Sequence, residues 1–148
     1  RYGWLRAVGS CNPYLAIRAR TGLGARAVEA AVADGSLCEV PAARGCVYWV
    51  PREHVGLALW LARETGGDAP MREAERHLGV SRDEIADLGK GILEILEKEP
   101  ADARALAFAL GDRVRHLGEN GKKRGQTTTL PLAITRLQLS GLLTRIPK

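Results

Sequence analysis

Between residues 121 and 148 the chain places Lys122, Lys123 and Arg124 ahead of Gln126 and three consecutive hydroxyls, Thr127, Thr128 and Thr129. Cations, an amide and hydroxyls are the donors that bind phosphate oxygens, and Arg113 and Arg115 upstream and Arg136 downstream extend the set. Pro131 sits where the first turn of a helix tolerates a missing N–H, so a helix is expected to begin there. Leu132, Ile134, Leu137 and Leu139 supply its apolar positions, and Gly141 is the residue type that most readily closes it. The free N–H groups of that helix start join the cations and hydroxyls, so the chemistry expected here is docking on a duplex backbone, which positions rather than reads. An amphipathic surface helix behind a solvated basic loop is the other reading of the same residues.

Other chemistries find little support. His54, His77 and His116 lack ligand spacing and are read as helix-surface residues, so no metal is expected. There is no nucleophile elbow, no Walker loop and no dinucleotide fingerprint, since Gly22-Leu23-Gly24 lacks a preceding strand and a third glycine; no cofactor is expected. Glu73 with Glu75, and Asp83 with Glu84, read as solvated helix faces. The cysteines, Cys11, Cys38 and Cys46, are odd in number and form no CxxC, which points to reduced thiols and a cytoplasmic setting, nucleoid-associated in a bacterium. Cys11 is read as a small apolar residue rather than an activated thiol.

Charge is distributed unevenly. Residues 1–63 hold eight Lys/Arg against four Asp/Glu, residues 64–99 five against ten, and residues 100–148 nine against three. Two basic lobes around an acidic middle are the footprint of a chain that meets a polyanion, and double-stranded DNA is the expected partner. A membrane is not, because no stretch approaches the roughly 20 apolar residues of a span and the cations do not line one face of a long helix.

The elements that must position these residues follow from periodicity and punctuation. Over 12–20 a turn-like Asn12-Pro13 precedes a helical pattern in Tyr14, Leu15, Ile17 and Arg18, and a second short helix is expected over about 25–33, stopped by Asp34-Gly35. Residues 37–40 and 47–50 are β-rich and flank Pro41-Ala42-Ala43-Arg44-Gly45, which reads as a hairpin. Pro51-Arg52-Glu53 opens a helix whose broad apolar face is Val55, Leu57, Leu59, Trp60 and Leu61. Helix, turn, helix, hairpin is the winged-helix order. Residues 65–70 are the best linker. Residues 74–85 have helix-turn-helix spacing, with Ser81 and Glu84 as a capping box, yet the second helix starts Arg82-Asp83-Glu84 and adds Asp87, carboxylates where phosphates would lie. Packing is its expected role, through Ile85, Leu88, Ile92 and Leu96, with Gly89 and Gly91 admitting a neighbouring backbone. A helix over 102–110, the basic arm and the stretch at 121–148 then repeat the winged-helix order, with residues 142–146 alternating as a first wing strand. The fold class expected is mainly α with small β wings (α+β), as tandem winged-helix units: 1–64, a linker with acidic connecting helices over 65–99, and 100–148 with an incomplete wing. The arginine at position 1 and the unfinished wing are what a piece of a longer protein would show.

Three segments carry a resemblance. Asp34-Gly35 through Arg44-Gly45-Cys46-Val47-Tyr48-Trp49-Val50-Pro51, then Leu78-Gly79-Val80-Ser81, then residues 122–145 with Thr128-Thr129-Leu130-Pro131, together resemble the winged-helix DNA glycosylases of the AlkZ/YcaQ type in order and spacing. The resemblance covers nearly the whole chain. It implies tandem winged helices with a concave DNA-binding surface and an enzyme that removes alkylated or crosslinked bases. It also implies a catalytic motif of glutamine, an apolar residue, then glutamine or aspartate, placed just before Asn12-Pro13-Tyr14. This chain has Gly9, Ser10 and Cys11 there, which cannot polarise water as an amide or carboxylate pair would, and its only glutamines are Gln126 and Gln138. No catalytic residue is therefore assigned, and a non-enzymatic winged-helix regulator or interaction module is the alternative.

Overall fold

The computed structural model describes residues 3–7 and 13–146. Its elements are β1 (Leu5–Arg6), α1 (Pro13–Thr21), α2 (Ala25–Ala33), β2 (Leu37–Pro41), β3 (Val47–Pro51), α3 (Val55–Glu64), α4 (Ala69–Leu78), α5 (Arg82–Leu96), α6 (Ala103–Leu110), α7 (Gly118–Lys123) and α8 (Leu130–Leu139). The chain is mostly helical with one small antiparallel sheet, an α+β composition. It forms two compact units: Arg1–Gly67 with Gln138–Lys148, and Asp68–Leu137. The division falls inside α8.

In the first unit the strand order is β1-β3-β2, with Leu5 opposite Trp49 and Val40 opposite Tyr48. Strand alternation sends successive side chains to opposite faces, and both faces are covered. Val40 and Val50 pack with Ala58 and Leu59 of α3. Trp49, one residue away, packs instead with Ile17 of α1 and Val28 of α2. The Trp49 indole N–H donates to Glu39 Oε2 at 2.9 Å, so the buried ring keeps its polar atom satisfied. The face of α3 is narrower than its sequence suggests: Ala58, Leu59 and Ala62 are buried, whereas Leu57 and Trp60 stand about half exposed. Small residues let α3 lie close to the sheet, and the larger ones flank the contact. Residues 142–146, expected as a wing strand, instead supply a single bridge from Arg145 to Glu39 on β2.

In the second unit α4 ends at Gly79, whose left-handed φ of 58° closes the helix. Ser81 then starts α5 with the expected capping box: Glu84 N–H donates to Ser81 Oγ at 3.1 Å, and Ser81 N–H donates to Glu84 Oε2 at 3.4 Å. Ile85, Leu88 and Ile92 form the buried stripe of α5. The two glycines behave differently from expectation, because side chains rather than a backbone use the space. A Cβ at Gly89 would meet Leu137 at 3.5 Å, and one at Gly91 would strike the Arg113 guanidinium. Asp102 caps α6, accepting from the N–H groups of Arg104 and Ala105 at 3.0 and 2.9 Å.

Candidate nucleic-acid interface

The expected phosphate donors all lie in the second unit. Their scaffold is a short antiparallel pairing that the sequence does not announce: Leu117 N–H donates to the Thr127 carbonyl at 2.9 Å, Thr129 N–H donates to the Arg115 carbonyl at 3.0 Å, and His116 bridges Thr128. Thr129 is fully buried, and its hydroxyl accepts from Arg115 N–H at 3.1 Å. Its oxygen is enclosed in the scaffold, while Thr127 lies on the surface and Thr128 is half-buried. The cations do not follow an unstructured loop. Lys122 and Lys123 end α7, and Arg124 is its C-terminal cap, a placement that suits positive charge at a helix C-terminus.

Three of these six cations, Arg113, Arg115 and Arg124, are engaged within the unit. Arg115 donates from Nε and Nη2 to the two carboxylate oxygens of Glu84 at 2.8 and 2.9 Å, and from Nη2 to the Gly79 carbonyl at 3.1 Å. That fork holds the Glu84 carboxyl below its ordinary value, chiefly through the hydrogen bonds, against the opposing effect of burial. Arg113 lies over Gly91 and donates to the Asp87 carbonyl at 2.8 Å. Arg124 pairs with Glu73 of α4. The Gln126 amide donates to the Pro70 carbonyl at 3.2 Å, and its Oε1 is enclosed without a hydrogen-bond partner. Lys122 is 3.9 Å from Glu119 with both side chains well exposed, a pair of little consequence. Lys123 and Arg136 are exposed and have no ion-pair partner among the described residues.

At the start of α5, Arg82 donates to Asp68 at 2.8 Å and to Glu75 at 2.9 Å, and these bonds raise its pKa further. The helix-turn-helix spacing is real, and its one leading cation is held by two carboxylates.

Regrouping the charges by compact unit changes the picture that the linear sequence suggests. The first unit holds ten Lys/Arg against five Asp/Glu, and the second holds twelve against twelve. The whole net charge of +5 belongs to the first unit. Within it Arg18, Arg20, Arg26 and Arg44 are exposed with no carboxylate partner among the described residues. Arg6 instead donates to Cys46 Sγ at 3.2 Å, Arg52 to the Gly35 carbonyl at 2.8 Å and Arg63 to the Leu139 carbonyl at 2.8 Å. Sequence reasoning assigned these first-unit arginines no site role. Their signal is the same residue count, taken over the compact units.

Among the described residues no group of three or more His, Cys, Asp or Glu is placed to hold a metal ion, and no helix is long and apolar enough to cross a membrane. Gly9, Ser10 and Cys11, where the catalytic motif was expected, lie outside the described residues.

A family model described as DNA glycosylase AlkZ-like matches residues 10–148. Neither a curated protein nor a solved structure gives a significant match.

Proposed function

Since the chain belongs to the AlkZ-like DNA glycosylase family, we propose that it is a winged-helix protein that binds duplex DNA in the repair of alkylated or crosslinked bases. One observation carries the DNA part of this reading: the entire excess of positive charge resides in one compact unit, where four exposed arginines have no carboxylate partner among the described residues. The winged-helix part is supported by α1 and α2 lying between β1 and β2 in the chain, and by β3 pairing between those two strands. The outward residues of α2 include Ala25, Arg26, Ala27, Glu29 and Ala30, a composition poor in base-reading side chains. Binding is therefore weakly sequence-selective. Lys122, Lys123 and Arg136 are the members of the second unit's expected set left available for phosphate, with Thr127 as a hydroxyl donor.

Catalysis is a separate matter. Gly9-Ser10-Cys11 supplies no amide or carboxylate pair, so this chain by itself binds without excising. The same substitution favours the second reading, a non-enzymatic winged-helix module. The test is a glycosylase assay on alkylated and crosslinked duplex, run beside a binding titration. Salt-sensitive binding without base release is the expected result. Robust excision would show that another pair does the chemistry, and binding indifferent to salt would overturn the polyanion reading.

A further inference from the structure

The tip of the first unit's hairpin is built against the preference of its own residue. Cys46 N–H donates to the Ala43 carbonyl at 3.2 Å, so Arg44 and Gly45 are the central residues of a tight turn, with φ of 58° and 67°. Two successive left-handed residues match the twist of a hairpin, and the first of them is normally Asn, Asp or Gly. Here it is arginine, the one non-glycine residue at positive φ among the described residues. A long cation where asparagine fits better is a local conflict that folding does not require.

The turn is also anchored. Arg44 N–H donates to Thr65 Oγ1 at 2.9 Å, and that hydroxyl donates to the Leu61 carbonyl at 2.7 Å, at the end of α3. Beneath the tip, fully buried Ala42 donates its N–H to the Cys46 carbonyl at 2.8 Å. The backbone of Arg44 is thus fixed from two sides. Its side chain is exposed, and the guanidinium has no hydrogen-bond or ion-pair partner among the described residues. A fixed backbone carrying an unengaged guanidinium is a cation held ready for an anion outside the fold.

We propose that Arg44 makes a phosphate contact to duplex DNA and that Thr65 is the residue that positions it. This rests on the duplex-binding reading above, and one experiment separates the two. Binding of a labelled duplex to the full chain is followed by fluorescence anisotropy across a salt series, with melting temperatures measured in parallel. Arg44→Asn keeps a residue that suits the turn and removes the charge. It should melt at or above the wild-type temperature, lower the slope of log K against log salt by about 0.9, and weaken binding about tenfold near 0.1 M salt. Arg44→Lys should retain the slope. Thr65→Val should weaken binding and Thr65→Ser restore it. If the wild-type chain binds and Arg44→Asn binds identically, this inference falls alone; if the wild-type chain shows no salt-dependent binding, the duplex reading falls with it. Wild-type affinity in Thr65→Val would overturn the positioning role.

Discussion

The two compact units contain similar numbers of cations and use them differently. In the second, Arg82, Arg115, Arg124 and Lys90 each face a carboxylate of the same unit, Arg76, Lys98, Arg104, Lys123 and Arg136 are exposed without an ion pair among the described residues, and the totals cancel at twelve against twelve. In the first, ten cations meet five carboxylates, and Arg18, Arg20, Arg26 and Arg44 remain unengaged among the described residues. A run such as Lys122-Lys123-Arg124 advertises charge in the sequence, but the field felt by a polyanion depends on what folding places beside it. The basic stretch from 100 onward and the acidic stretch before it, opposed in the sequence, largely neutralise one another once folded.

The largest effect should come from the packing that holds the second unit's pairs in place. Ile85 is fully buried beside Glu84 in α5, and Ile85→Ala should cost about 2–5 kcal/mol in a denaturant melt. A loss under about 1 kcal/mol would mean the stripe of α5 is not the core it is described as.

Next in size is the removal of Lys122, Lys123 and Arg124 together. All three are cations, yet Arg124 is paired with Glu73. The salt slope for duplex binding should therefore fall by about two rather than about three. A fall of three would place Arg124 on phosphate and sharpen the division between paired and unengaged cations in the opposite sense.

A smaller effect is expected in acid. The folded carboxyl of Glu84 sits below its ordinary value, so its contribution to stability is fully present above the usual carboxylate range of about 4.3. It is lost as pH falls through the depressed folded value. Glu84→Gln should flatten the acid limb of stability against pH, and a limb unchanged in shape would show that Arg115 contributes nothing through this pair. Smallest of all is Arg82→Gln, which should leave duplex affinity and salt slope essentially unaltered because Asp68 and Glu75 already hold that guanidinium. A marked loss of affinity would make the helix-turn-helix a DNA-binding element after all.

Local features were the legible ones. Asp34-Gly35 after an alanine-rich run marks the end of α2, Ser81 with Glu84 marks the start of α5, and the β-rich runs around Arg44-Gly45 mark the hairpin, because caps and turns are decided by neighbours in sequence. The fork from Arg115 to Glu84 spans 31 residues and has no local signature. Nor does the burial of Thr129, which depends on pairing with residues 115–117. The bridge of Arg145 to Glu39 likewise joins distant segments, so alternation at 142–146 could not say which sheet it would meet. Gly91 was legible as an open space, but not that a guanidinium would occupy it.

Removing equal charge from the two units tests the central claim most directly. One variant carries Arg18→Gln, Arg20→Gln and Arg26→Gln; the other carries Arg82→Gln, Lys90→Gln and Arg124→Gln. Each gives up the same formal charge, so a difference in duplex binding reflects engagement within the fold rather than net charge. The salt slope should drop by about 0.9 for every phosphate that the first variant no longer neutralises, up to about three in total, and by less than about one in the second. Equal slopes, or a larger drop in the second variant, would contradict the claim that Arg18, Arg20 and Arg26 of the first unit meet the duplex.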